Sequence, residues 1–423
     1  MFYLLFIAYL VLFCWLITRI QFFKNSGLGS RLLVALFFIR VAMSLVTCYF
    51  NLYYFPTSDS IAFHNGGIDE YNLLMKSPRE YFFNFFEDSH HNGYSGFLDV
   101  TKSYWNDAKG NLIYKTFAIL DIFSGKNFFV NTLFFNFFVF FGPVALYKVF
   151  IKIFPTDFYK VIFCIFLLPS ALFFSSMIHR DGFTLLALSM VIYHFYFLLN
   201  GTRFSWKRIP VIIFFMLVIL ILRSYVLIVL LPALLAWFLA RNKPKYRFLI
   251  FSGVYLAGFI LFFCSGYLSP KTDLPRYVCE RQQAFIEVAK LGESTIDINP
   301  LHPNFKSFLR NAPQALNHAL MRPYPTEIKS FVYVPFAIEN LVCAVLLLLF
   351  IFFRKKFSAD DSLVFFCLFF TATIFLITGY TVPIIGAIVR YRSIYLIFLL
   401  LPIVCYTDWK TIGKKLHILN KNI

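Results

Sequence analysis

The chain has 423 residues, of which 60% are hydrophobic and only 14% charged, and it carries a formal charge of +18. A soluble chain is nearer half apolar and about a quarter charged, so a water-soluble multidomain protein is excluded: the polar residues are too few to cover its surface. A basic balance often marks nucleic-acid binding. Here the basic residues sit in short connectors between apolar runs, which excludes that partner and points to a polytopic protein in a lipid bilayer.

Crossing a bilayer takes roughly 20 apolar residues. Such runs are predicted over 2–18, 32–55, 128–147, 161–178, 182–199, 209–222, 224–240, 248–268, 331–353, 363–380 and 393–406. The first has neither a basic leader nor a small-residue cleavage site, so it is read as a retained span rather than a signal peptide. Basic clusters follow alternate spans: Arg19, Lys24 and Arg31; Lys148, Lys152 and Lys160; Arg203, Lys207 and Arg208; Arg241, Lys243, Lys245 and Arg247; Arg354, Lys355 and Lys356; then the lysine-rich tail. All fall on one side if about eleven spans start from an outer N-terminus and end in an inner C-terminus. A single crossing over 209–240 would put its flanking clusters on opposite faces, so two short helices turning at Arg223 are predicted there.

The expected fold is therefore all-α: a polytopic transmembrane helical bundle forming one integral membrane domain over 1–423, with large outer loops at 56–127 and 269–330. In the second loop Phe305, Phe308, Leu309, Ala312, Leu316 and Leu320 recur at helical spacing, with Lys306, Arg310 and Arg322 off that face. They predict an interfacial amphipathic helix, broken or kinked near Pro313. A similar helix is predicted from Asn111 to Phe123. No internal repeat is visible, which weighs against a transporter built from inverted repeats. The eight cysteines show no metal-ligand spacing or disulfide pattern and are read as small packed hydrophobes.

A few polar residues are not explained by apolar packing. Asp59 follows the second span, and His179-Arg180-Asp181-Gly182 interrupts an apolar run. Arg223 and the Arg390-Tyr391-Arg392 triplet do the same elsewhere. Charges at membrane depth are costly and mark function. Arginine binds phosphate bidentately, and a polyprenyl phosphate presents its anion at that depth. Arg180, Arg223, Arg390 and Arg392 are the expected phosphate ligands, with His179 and Asp181 orienting Arg180 or touching sugar. Asp59 is the expected general base, and Asp69-Glu70 is a competing acid pair. Within the spans, Arg40 and Glu339 are expected at matching depth as an ion pair, or as groups that gate substrate. His90-His91 with Glu87 and Asp88 is read as a solvated loop rather than a metal site.

This pattern resembles the GT-C superfamily of integral membrane glycosyltransferases: Asp59 in the first large outer loop, a juxtamembrane helix in that loop, and many further spans. The stretch 168–182, Leu-Pro-Ser-Ala-Leu-Phe-Phe-Ser-Ser-Met-Ile-His-Arg-Asp-Gly, and 388–393, Ile-Val-Arg-Tyr-Arg-Ser, also resemble segments of bacterial mannosyltransferase-like proteins and O-antigen polymerases. The resemblance implies a polyprenyl-phosphate-linked sugar donor, a glycan or lipid-linked acceptor, inversion at the sugar carbon, and a base at Asp59. It places the protein in a bacterial inner (plasma) membrane, making surface polysaccharide. No Asp-x-Asp stands at Asp59, so the divalent metal that some members use has no matching motif, and the cofactor stays open. A transporter or flippase of lipid-linked glycans is the rival expectation, and a non-catalytic scaffold a third.

Overall fold

The computed structural model describes residues 2–86, 104–201, 205–268, 272–290, 294–328, 331–355 and 362–421. His90, His91, Glu87 and Asp88 lie outside them. The helices are α1 (Phe2–Arg19), α2 (Gln21–Lys24), α3 (Ser30–Tyr53), α4 (Asp59–Lys76), α5 (Pro78–Phe83), α6 (Tyr104–Ser124), α7 (Phe128–Ile153), α8 (Phe158–Ile162) and α9 (Pro169–Ser176). Then come α10 (Arg180–Leu199), α11 (Arg208–Ala240), α12 (Arg247–Leu268), α13 (Leu274–Ala289), α14 (Phe305–Met321), α15 (Val334–Phe353), α16 (Ser362–Thr381), α17 (Ile385–Tyr406) and α18 (Trp409–Lys421). The chain is all-α, and the described residues form no strand beyond two isolated bridges.

Nine described helices are long and apolar enough to cross a membrane, or ten if the pair Phe158–Leu167 and Pro169–Ser176, bent by 43°, counts as one span. This is a multi-pass membrane protein. The count falls short of the eleven spans expected because α11 counts once, although it is two helices joined across a kink. Its backbone leaves the helical region only at Arg223 (φ −150°, ψ 75°), the residue at which the sequence predicted a turn.

What the sequence presents as one domain divides into two compact units, Met1–Phe150 with Ala171–Leu227, and Ile151–Ser170 with Ile228–Ile423. In unit 1, phenylalanines of α7 pack on the neighbouring helices: Phe13 stacks on Phe137 at 4.4 Å, Phe23 on Phe140 at 5.7 Å, and Phe117 meets Phe135 at 6.2 Å. The described residues of the first large loop are mostly helical, in α4, α5 and α6. Glycines let α4 and α6 approach closely, since a Cβ at Gly67 would lie 2.7 Å from that of Phe117.

In unit 2, α16 and α17 carry the core, with Phe366 stacked on Phe370 at 5.5 Å and Phe370 edge-on to Tyr395. On α15, Leu341, Val345, Leu348 and Phe352 form an exposed stripe at helical spacing, which suits a helix facing lipid rather than water. The expectation for α14 needs correction. It runs unbroken through Pro313, and its inward face is Asn311, Ala315, His318 and Ala319 with Phe308, while Phe305 and Leu309 point outward. Small residues face inward because α16 comes very close: a Cβ on Gly379 would lie 1.9 Å from the Ala315 carbonyl oxygen.

Candidate functional site

The 168–182 stretch is a short helix, a break, and the start of a second helix. In unit 2 the carboxylate of Glu339 takes the N-terminus of α9, accepting from Ser170 N at 2.8 Å and Ser170 Oγ at 2.5 Å. In unit 1 Arg40 donates to Ser175 Oγ at 3.1 Å and to the Ser175 carbonyl, and Asn136 Nδ2 donates to the Ser176 carbonyl at 2.8 Å. Negative charge at a helix N-terminus and positive charge at its C-terminus both complement the peptide dipoles and satisfy otherwise orphaned groups. Arg40 and Glu339 were expected as an ion pair; within its own unit Arg40 meets Ser175, and within its own unit Glu339 meets Ser170. The cation whose field acts on Glu339 within its own unit is Arg392.

Past the break, His179 caps α10, and Gly182 lets that helix start hard against α9 and α7: a Cβ there would lie 2.4 Å from Phe135 Cζ and 2.8 Å from the Ser175 carbonyl oxygen. The imidazole is thereby fixed between two carboxylates. Its Nε2 is 3.0 Å from Asp59 Oδ2, and its Nδ1 is 2.7 Å from Asp181 Oδ2. The Asp181 amide also approaches Nδ1, at 3.3 Å. Nδ1 cannot accept from that amide and donate to the carboxylate at once. The shorter, charge-assisted contact decides, so Nδ1 carries hydrogen and points it at Asp181.

Asp181 is fully buried and also bonded to Arg223, whose Nη1 donates to Tyr225 Oη at 2.8 Å. The chain Asp59, His179, Asp181, Arg223 thus alternates in charge sign when the imidazole is protonated, the arrangement that lets buried charges offset one another's desolvation. Only its end at Asp59 is open, with the side chain 46% exposed against 1% for His179. Asp59 is the first residue of α4, and one turn on, Phe63 stands edge-on to His179 at 5.7 Å with the Arg180 guanidinium 5.6 Å above its ring.

The structure therefore brings Asp59, His179, Arg180, Asp181 and Arg223 together in unit 1. Arg223, expected on phosphate, is engaged by Asp181 and Tyr225. Arg392, in unit 2, donates to the Ala319 carbonyl at 3.0 Å and the Arg322 carbonyl at 2.6 Å, and bonds Asn340 Oδ1. It caps the C-terminus of α14, so the expected phosphate contact is corrected to a helix-end one. Arg390, also in unit 2, lies with its guanidinium 5.2 Å from the Tyr391 ring. Asp69-Glu70 does not join Asp59: ten residues down α4 is about 15 Å along the axis. Asp69 is exposed, and Glu70 is bound by Lys115 at 2.8 Å.

Sequence reasoning missed Tyr225 and Phe63, and a second buried group in unit 1. There Asn131 Nδ2 lies 2.6 Å from Asp121 Oδ1 and 3.4 Å from His64 Nδ1. Burial pushes the His64 imidazole down to about 4 and raises the Asp121 carboxyl above its usual range. Asn131 and Asn136, two amides in a phenylalanine-rich helix, were the available signal. Among the described residues no three His, Cys, Asp or Glu side chains gather as a metal ion would need. Comparison with protein-family models, with curated proteins and with solved structures finds no match to this chain.

Proposed function

We propose that the protein is an integral membrane glycosyltransferase that moves a sugar from a polyprenyl-phosphate carrier to an acceptor hydroxyl at the outer face of a bacterial inner membrane. The observation that supports it is the half-exposed Asp59 carboxylate backed by His179, with Arg180 one helical turn away over Phe63. The acceptor oxygen attacks the anomeric carbon, its proton passes to Asp59, and the carbon–oxygen bond to the phosphate breaks with the electron pair leaving on the phosphate. The imidazole shares the proton between Nε2 and Oδ2, so the carboxylate need not bear the change in charge alone. Arg180 is the residue beside the base suited to the phosphate leaving group. Arg223 acts one step back, fixing Asp181. The rival transport reading uses the same arginines without a base, and an Arg40–Glu339 pair lining a cavity would favour it; Arg40 bonds Ser175 and Glu339 bonds Ser170.

The test is Asp59→Asn at normal protein level in cells. Losing a positioned base costs about 10²–10⁴ in rate, so surface glycan is expected to disappear. Unchanged glycan would remove Asp59 from its role and the reading with it.

A further inference from the structure

Unit 2 holds a cavity of ≈ 370 Å³, of mixed polar and apolar lining, that none of the foregoing chemistry uses. The hydroxyl-bearing residues Ser294, Thr295, Thr326 and Tyr333 line it, with the charged residues Asp297, Glu327 and Arg322 and the aliphatic residues Ile296 and Ile385.

The walls are held before any ligand arrives. The segment 294–297 is strapped to the turn before α17: Ile296 N donates to the Pro383 carbonyl at 2.8 Å, and Ile385 N to the Ser294 carbonyl at 3.0 Å. Arg322 leaves the end of α14, where buried Arg392 holds its carbonyl at 2.6 Å. Its Nη1 lies 2.8 Å from Glu327 Oε1, and Glu327 Oε2 accepts from Tyr324 N at 3.0 Å. Tyr333 Oη nestles against a residue without a side chain, since a Cβ on Gly386 would lie 3.1 Å from it.

The lining selects its ligand by charge. One cation faces two carboxylates, and that cation is already paired, so an anion is repelled by the surplus acid. A metal ion finds Glu327 occupied by Arg322 and by a backbone N–H. What remains is a fixed array of donors and acceptors, with hydroxyls able to act as either, beside one aromatic and two aliphatic surfaces. A ring carrying several neutral hydroxyls matches that array on its edges and the apolar surfaces on its C–H face. At about 30 Å³ per water-sized group, the cavity takes about a dozen such groups, the size of one or two sugar rings. We propose that this cavity is a binding site for a neutral saccharide, with Asp297, Glu327 and Arg322 bonding its hydroxyls and Tyr333 its ring face. Arg392 is then a positioning residue for Arg322. The site stands whether or not Asp59 is a base.

The test uses the full-length protein in phospholipid nanodiscs and saturation-transfer NMR with an equimolar panel of glucose, galactose, mannose, N-acetylglucosamine and rhamnose. At least one sugar is expected to show saturable transfer. Loss of a charge-assisted hydrogen bond weakens such binding by about tenfold, the effect expected of Asp297→Asn, whose side chain is exposed and whose loss leaves the fold intact. Tyr333→Leu is expected to weaken it similarly. Glu327→Gln frees Arg322, so it should lose the sugar and gain affinity for inorganic phosphate. Asp59→Asn should leave the signal unchanged, separating failure here from failure of the transferase reading. The proposal is overturned if no sugar gives saturable transfer, if Asp297→Asn and Tyr333→Leu bind as the parent does, if phosphate displaces sugar from the parent, or if Asp59→Asn abolishes the signal.

Discussion

The contact between Arg223 and Asp181 ties the one non-helical residue of α11 to the start of α10, and its energetic weight can be measured. Asp181 is fully buried and Arg223 is 7% exposed, so neither charge has water to fall back on. Replacing Arg223 with leucine takes a guanidinium away from the carboxylate and leaves His179 beside it. Removing one member of a buried pair costs about 3–5 kcal/mol, whereas removing both costs far less, because no uncompensated charge remains. Arg223→Leu and Asp181→Asn are each expected to destabilise unit 1 by that amount. The double variant is expected to cost no more than the worse single one. Unfolding in a dodecyl-sulfate titration, followed by far-ultraviolet circular dichroism, gives all three values under one condition. Independent sites add within about 0.5 kcal/mol. If the double variant equals the sum of the singles within that margin, the two residues do not act as a pair, and the charge alternation running back from Asp59 is not what stabilises the site.

Two further predictions concern pH and packing. Burial holds His64 in unit 1 and His318 in unit 2 at about 4, against 6.5 for the free side chain, with Arg322 adding to the depression at His318. The unfolded chain takes up these protons first as pH falls, so stability is full above 6.5 and drains away down to about 4. Each histidine contributes about 3 kcal/mol to the loss; the raised carboxyl of Asp121 works in the opposite direction. The melting temperature should therefore drop from pH 7.5 to pH 4.5, and the drop should shrink in His64→Gln. The packing test is Gly379→Ala, which sets a methyl group 1.9 Å from the Ala315 carbonyl oxygen and forces α14 and α16 apart. Such overpacking costs about 1–3 kcal/mol, and a melting temperature equal to the parent's would show that the two helices are not held at that distance.

The helices were legible because long apolar runs have few alternatives, and the break at Arg223 because a single crossing would put the basic clusters flanking 209–240 on opposite faces. Which partner it finds was not legible. Arg223 meets an acid 42 residues away, and Arg392 meets carbonyls 70 to 73 residues away. Arginine serves phosphate, carboxylate and backbone oxygen with the same geometry, so residue type could not separate them. Local chemistry did mark the 179–182 stretch, where His179, Arg180, Asp181 and Gly182 interrupt an apolar run and a new helix begins at Arg180. It failed for α14 at Pro313, where a break or kink was expected and the helix runs on; the outward Phe305 and Leu309 suit the interfacial helix that their spacing predicted.

The same physics bears on how α11 crosses the membrane. Laid straight, 33 residues extend about 50 Å, well beyond a hydrocarbon core of about 30 Å. The bond to Asp181 fixes one point on this path. α10 descends from Asp181 to Leu199, and the first arm of α11 climbs back from Arg208, rising about 22 Å to bring Arg223 level with Asp181 again. Continuing in that direction would carry Leu234 and Trp237 about 40 Å from Arg208 and out of the apolar layer, although both are apolar side chains. Under the positive-inside rule the second arm turns back, so Arg208 and Arg241 share a side and both flanks are basic. Alkaline phosphatase and fluorescent-protein fusions placed after Asn200 and after Asn242 should therefore report the same, inner compartment. Opposite compartments would make α11 a single tilted crossing, and the basic connectors beyond it would then fall on the wrong side for the positive-inside rule.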